Sequence, residues 1–183
     1  DAGDDLTTGS SNILIGAYTG DALNTGDSNV AVGHNALSTE DTGDRNVAIG
    51  YEALTALNYD GSGYNTAVGF EAGHDISTGR YNTIVGALTG DKITTGGNNV
   101  LFGYDAGGAV TEGTRNVAIG SDSLSTATTQ NNNVAIGHNA LLSAESSENV
   151  AVGFGAGAAT SSSGANTYVG YQAGTANTTG QNT

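Results

Sequence analysis

The sequence predicts an all-β protein, a parallel β-solenoid built from coils of about 17 residues. Three observations carry that prediction. The first is a five-residue unit, typified by Asn116-Val117-Ala118-Ile119-Gly120, that occurs ten times. Its Asn recurs at spacings of 17, 17, 19, 17, 17, 17, 17, 16 and 17 residues, and an eleventh unit begins at Asn182. A period of this size marks a stack of one small unit. The second is composition. With 30 Gly and no Pro, Cys, Met or Trp, the chain lacks the inventory for an ordinary globular core. A one-dimensional stack needs only a few inward side chains per coil. The third is the alternation of apolar residues inside the unit, which is strand-like and too regular for a disordered acidic chain.

The elements follow from the repeat. With each Asn as position one, residues 12–181 make ten complete coils, and 1–11 and 182–183 are partial coils of the same segment, 1–183. Asp1 to Gly9 match positions seven to fifteen of a coil, as Glu71 to Gly79 do, so the register predicts a window on a longer fibre. Positions one to five read as a strand. Position two is β-branched in all ten coils, from Ile13 to Thr167, and position four is Ile, Val or Phe, from Ile15 to Val169. Alternate side chains share a face, and we expect that face to be the inside of the coil. Position five is Gly in every coil, which suits a positive φ or a very close approach. Position eight is only Ala, Ser or Thr, which suits a site where two backbones nearly touch.

The return half of the coil comes in two kinds. Where position nine is Leu (Leu37, Leu54, Leu124, Leu141), position twelve is generally not a large aliphatic. Where it is Gly (Gly20, Gly73, Gly90, Gly107), position twelve is Leu23, Ile76, Ile93 or Val110. This predicts core volume supplied from either of two places, with Leu57 as an exception. The segment then closes on turn-like Thr-Thr-Gly sequences such as Thr94-Thr95-Gly96.

Position three carries Leu14, Ala31, Ala48, Ala67, Ile84, Leu101, Ala118, Ala135, Ala151 and Tyr168. By alternation it points away from positions two and four, hence outside the coil. A solvated outer row is expected to be charged or polar. This one is never charged, so we expect it to be an inter-chain face, buried against other copies. The Asn column at position one (Asn12, Asn29, Asn46, Asn65, Asn82, Asn99, Asn116, Asn133, Asn149, Asn166) predicts a structural ladder of stacked carboxamides.

Charge narrows the partners. The net charge is −14, and only Arg45, Arg80, Lys92 and Arg115 are positive. Nucleic acid needs neutralising cations, so we expect no nucleic-acid partner. No apolar run approaches a membrane span, and we expect no membrane insertion of this segment. Without Cys there are no disulfides or thiolate metal sites. His34 and His138 fall six coils apart, roughly 29 Å at one strand spacing per coil, and with His74 they read as surface turn residues. Gly153 to Ala158 superficially resembles a dinucleotide fingerprint, but its glycines sit at repeat positions and no helix follows. Neither catalytic residues nor a cofactor is predicted, and the chain is not expected to be an enzyme. Calcium is the one cofactor the acids suggest, from Asp4-Asp5, Asp21, Asp27, Asp91 and Glu40-Asp41, but acids do not recur at a fixed position, which favours a solvated acidic face. Thr7, Thr25, Thr78, Thr94, Thr95 and Thr178 suggest an ice-binding array, which acidic and aromatic residues interrupt.

At position six, Tyr51, Phe70, Tyr104, Phe154 and Tyr171 read either as receptor contacts that stack on sugars or as filling between coils or chains. Ala17, Ala87 and Ser121 interrupt that row. Tyr59, in the longest loop (Asn58 to Ser62), is a further expected contact.

The motif Asn-Val-Ala-Ile-Gly-x-x-Ala-Leu, at Asn133 to Leu141 and Asn29 to Leu37, resembles the head repeats of YadA-like trimeric autotransporter adhesins. It is more similar still to the Asn-Thr-Ala-x-Gly-x-x-Ala repeats of phage tail fibres. The resemblance covers essentially the whole chain. It implies a left-handed β-roll, three chains side by side as a homotrimer, and an extracellular place on a virion tail fibre or a bacterial surface. The coil is longer than in the adhesin heads. The expected function is a structural or adhesive fibre segment that spaces or presents a receptor-binding region, with phage fibre favoured over adhesin head. A cell-surface glycan or protein is the expected receptor.

Overall fold

The computed structural model describes residues 1–159 and 164–175. Thr178 and the partial coil 182–183 lie outside the described residues. Ten three-residue strands form one sheet: β1 (Ile13–Ile15), β2 (Val30–Val32), β3 (Val47–Ile49), β4 (Thr66–Val68), β5 (Thr83–Val85), β6 (Val100–Phe102), β7 (Val117–Ile119), β8 (Val134–Ile136), β9 (Val150–Val152) and β10 (Thr167–Val169). They lie in sequence order, and every neighbour is parallel. Each position pairs with its own equivalent, as Val100 with Val117, Leu101 with Ala118 and Phe102 with Ile119. The protein is a β-solenoid.

Local chemistry explains why each strand is three residues long. The residue before each Asn is left-handed, as at Arg45, Tyr81 and Arg115 (φ 58° to 61°), so the extended segment starts only after it. The position-five Gly ends it with φ between 129° and 145°, a conformation closed to L side chains. A Cβ on Gly103 would also stand 2.6 Å from the Gly120 carbonyl oxygen of the next coil. Both reasons expected for that glycine hold at once. The return half stacks by backbone hydrogen bonds too, for example Gly90 N–H to Ala106 O at 3.0 Å and Thr94 N–H to Thr111 O at 2.9 Å.

The two faces of the strands are the reverse of the sequence expectation. Position three fills the coil. Ala31, Ala48, Ala67, Ile84, Leu101, Ala118, Ala135, Ala151 and Tyr168 are buried in one hydrophobic cluster, and Leu14 in the first coil packs against it. These ten residues are therefore core and not an inter-chain face. Positions two and four point outward: Ile49 and Ile119 are 37% exposed and Phe102 55%.

Volume is the reason. The inside of a coil must also hold the position-nine Leu and the position-twelve aliphatic, and Leu37, Leu54, Leu124, Leu141, Leu23, Ile76, Ile93 and Val110 are all fully buried. Ala at position three leaves room for Leu at nine. Where position three is large (Leu14, Ile84, Leu101, Tyr168), position nine is Gly (Gly20, Gly90, Gly107, Gly174). A Cβ on Gly107 would come within 3.0 Å of the Leu101 methyls, and one on Gly20 within 2.8 Å of Leu14. Core volume is thus exchanged among positions three, nine and twelve. Leu57 is also fully buried, so its coil fills both nine and twelve.

Candidate functional site

The Asn column lies inside the wall of the solenoid. Each backbone N–H donates to the side-chain oxygen of the Asn one coil earlier, as Asn99 to Asn82 at 3.1 Å and Asn116 to Asn99 at 2.9 Å. Where the geometry is regular, the Asn Nδ2 also donates across its own coil to the closing turn: Asn82 to Gly96 O at 3.0 Å and Asn99 to Gly113 O at 2.9 Å. One side chain therefore registers two coils and closes a third segment, and almost no part of it meets solvent. In the 16-residue coil this fails: Asn133 Nδ2 is buried with no partner among the described residues. The column is a structural device.

The outer face has three strips. The central one is the double row of positions two and four, made only of Ile, Val, Thr and Phe. Its rows are half-buried to exposed along all ten strands.

On one side runs position six. Stacking at one coil spacing turns it into two aromatic columns, His34–Tyr51–Phe70 and His138–Phe154–Tyr171, with ring centroids 5.3 to 5.4 Å apart and planes within 15° of parallel. Tyr18 meets His34 edge-on at 5.7 Å. Tyr104 falls between Ala87 and Ser121 and stands apart from both columns. The expected receptor residues Tyr51, Phe70, Tyr104, Phe154 and Tyr171 are thus exposed. His34 and His138, read as plain turn residues, belong to the stacks. His74 does not: it contacts Asp75 at 2.6 Å and Glu52 at 3.5 Å.

On the other side runs the turn that precedes the strands, and sequence reasoning overlooked it. Arg45, Tyr64, Tyr81, Asn98 and Arg115 are successive occupants of the position before Asn, and Arg80 and Gly97 stand one residue earlier. Tyr64 and Tyr81 stack at 5.5 Å, and Arg45 lies over Tyr64 at 5.8 Å. The Arg80 guanidinium lies over the Tyr59 ring at 4.8 Å and the Tyr81 ring at 5.7 Å, and donates to the Tyr59 hydroxyl at 2.8 Å. Tyr59, expected as a loop contact, is half-buried and serves to position Arg80. The signal was present in the sequence, since three of the four cations share the last two positions of a coil.

Two of the clefts among the described residues differ in the charge of their linings. One, of about 500 Å³, is lined by Asp5, Thr7, Ala22, Asn24, Thr39, Asp41 and Asn58. The other, of about 210 Å³, is lined by Thr78, Arg80, Tyr81, Thr95, Gly97, Asn98 and Thr114. The calcium candidates are scattered. Among the described residues no three His, Asp or Glu side chains come together as a cation cage. Asp27 accepts the Ser10 N–H at 2.6 Å and hydroxyl at 2.8 Å, which hold its carboxyl below the ordinary range. Glu40 lies inside the coil at position twelve and accepts the Gly43 N–H at 2.8 Å and the Tyr59 N–H at 3.3 Å.

The geometry defines a class, a parallel β-solenoid with an outer sheet face of Ile, Val, Thr and Phe bordered by aromatic strips. Compared with family models, with curated proteins and with solved structures, the chain matches none.

Proposed function

We propose that this chain is a segment of an extracellular fibre, on a virion tail or a bacterial surface, that spaces or presents a receptor-binding region. Its work is mechanical. About 11 coils at roughly 4.8 Å each make a rod of roughly 50 Å, and the repeat number sets the length.

One observation carries the reading. The outer sheet face is uncharged on all ten strands, in a chain with 18 acidic residues. A contiguous apolar surface of this kind marks an interaction site on a soluble protein, and its regularity suits another copy of the same regular object. In the proposed fibre, chains lie side by side on positions two and four. The number three rests on the resemblance to trimeric fibres. The interface belongs to Val117 and Ile119, where the sequence alone had pointed to Ala118.

Sedimentation tests this. The wild-type chain is expected to sediment as an oligomer at micromolar concentration. Ile119→Glu paired with Val134→Glu is expected to yield a folded monomer with an unchanged circular dichroism spectrum. A folded wild-type monomer at that concentration would overturn the assembly.

A further inference from the structure

The cationic turn strip has a chemistry that neither the fibre wall nor the sheet face uses. We propose that the cleft at Arg80, Tyr81 and Asn98 is a binding site for a carboxylate-bearing sugar unit of a surface polysaccharide. The site is complete within one chain, so it stands independently of how chains assemble.

Electrostatics comes first. In a chain of net charge −14, no carboxylate lines this cleft, whereas Asp5 and Asp41 line the larger one. Among the described residues the salt bridges occupy Arg45, with Asp44 at 3.4 Å, and Lys92, with Asp91 at 3.2 Å and Asp75 at 3.4 Å. Arg80 and Arg115 pair with no carboxylate there. An exposed cation left unpaired in so acidic a chain is open to an anion from outside.

Geometry comes second. Arg80 lies over two Tyr rings and is tied to the Tyr59 hydroxyl, so its guanidinium is held before any ligand arrives. Of its five N–H donors, one engages Tyr59 and the rest remain for a carboxylate, which the planar fork matches in bidentate fashion. Preorganisation of this kind lowers the ordering cost of binding. The cleft floor is Gly97, which interrupts the column of side chains between Arg80 and Thr114. That gap is enforced: a Cβ on Gly97 would stand 2.8 Å from the Arg80 carbonyl oxygen. The backbone binds the strip together, with Asn98 N–H donating to Arg80 O at 2.9 Å and Arg115 N–H to Gly97 O at 3.1 Å.

The walls select a sugar over a bare anion. Tyr81, 48% exposed, stands beside the cation, and an aromatic side chain with neighbouring polar groups suits contact with the apolar side of a pyranose. Thr95 and the Asn98 carboxamide supply hydroxyl-directed partners in the same opening. A volume of about 210 Å³ accommodates one sugar ring. The acidic groove, by contrast, repels the same ligand.

Amide NMR titration of the whole chain tests the site with methyl β-D-glucuronide, methyl β-D-glucoside and acetate as probes. The glucuronide is expected to shift the Gly97 and Asn98 amides saturably, and the other two to bind at least tenfold more weakly. Arg80→Gln is expected to weaken glucuronide binding at least tenfold, while Lys92→Gln, which removes a paired cation elsewhere, leaves it within twofold. Both variants must retain the wild-type amide pattern in β4 to β7. Should Arg80→Gln lose that pattern, Arg80→Lys, which keeps charge but not the fork, is expected to show the same loss of glucuronide affinity. Equal response to acetate and glucuronide would overturn the sugar assignment. Equal response to glucoside, or no saturable shift with any probe, would overturn the site.

Discussion

Ala118 and Ile119 are neighbours on β7, and they sit in opposite environments. Ala118 is completely buried inside the coil, and Ile119 is 37% exposed on the outer sheet. By hydrophobicity alone the assignment should be the reverse, since burying Ile stabilises more than burying Ala. The difference teaches that volume decides which face is inside. The coil interior is already occupied by Leu124, and a strand residue facing it has room for one methyl group.

The largest test of that comparison moves a charge across it. Ala118→Glu places a carboxylate inside the coil with no partner, and we expect a loss of about 4 kcal/mol or more. Ile119→Glu places the same group in water, and the urea midpoint of the monomer is expected to change little. Equal destabilisation by both variants would break the inside–outside assignment.

Closure of the strand ranks next. Gly103 combines φ 144° with a 2.6 Å approach of any Cβ to the Gly120 carbonyl. Gly103→Ala is expected to cost about 3 kcal/mol, from backbone strain together with the displaced neighbour. A thermal melt within two or three degrees of wild type would mean that the coil spacing yields more easily than the stacked geometry implies.

A double substitution sharpens the volume argument itself. Ala118→Leu alone overfills the coil against Leu124, at about 1–3 kcal/mol. Leu124→Gly alone opens a hole, at about 2–5 kcal/mol. Together they recreate the Leu101/Gly107 arrangement of the preceding coil. The pair is expected to be more stable than the sum of the single losses by at least about 1 kcal/mol, measured by urea denaturation. Additive losses would show that positions three and nine do not share one space.

Much of this fold was legible in the sequence because the period, the strand and the glycine are each dictated by local chemistry. The identity of the inner face was not, because a row of Ile and Val reads as core whichever way it points. The decisive signal lay in a correlation between two columns: every coil with a large residue at position three has Gly at position nine. That pattern makes sense only if both point into the same cavity. The Asn column, in turn, was legible as a ladder from its spacing, but its second bond to the closing turn depends on coil geometry. Arg80 was legible in part, since three of the four cations share the last two positions of a coil, but the absence of carboxylates around its cleft depends on how the coils stack.

Glu40 breaks the comparison from within and gives the smallest expected effect. It occupies position twelve, where other coils place Leu23, Ile76 or Ile93, and it is fully buried. Burial pushes its carboxyl above the ordinary range, against the opposing pull of the Gly43 and Tyr59 N–H groups. A raised folded-state pKa means that the folded chain holds this proton more tightly than the unfolded chain does. The stability contributed by protonation is therefore complete below the unfolded value, about 4.5, and is lost as pH rises through the folded value. Glu40→Gln keeps an acceptor for Gly43 and removes the titration. The melting temperature of the wild type is expected to fall relative to Glu40→Gln as pH increases from 4 to 7, whatever the constant offset between them. A difference that stays flat over that range would mean that Glu40 is solvated, and that position twelve is not a core site in this coil.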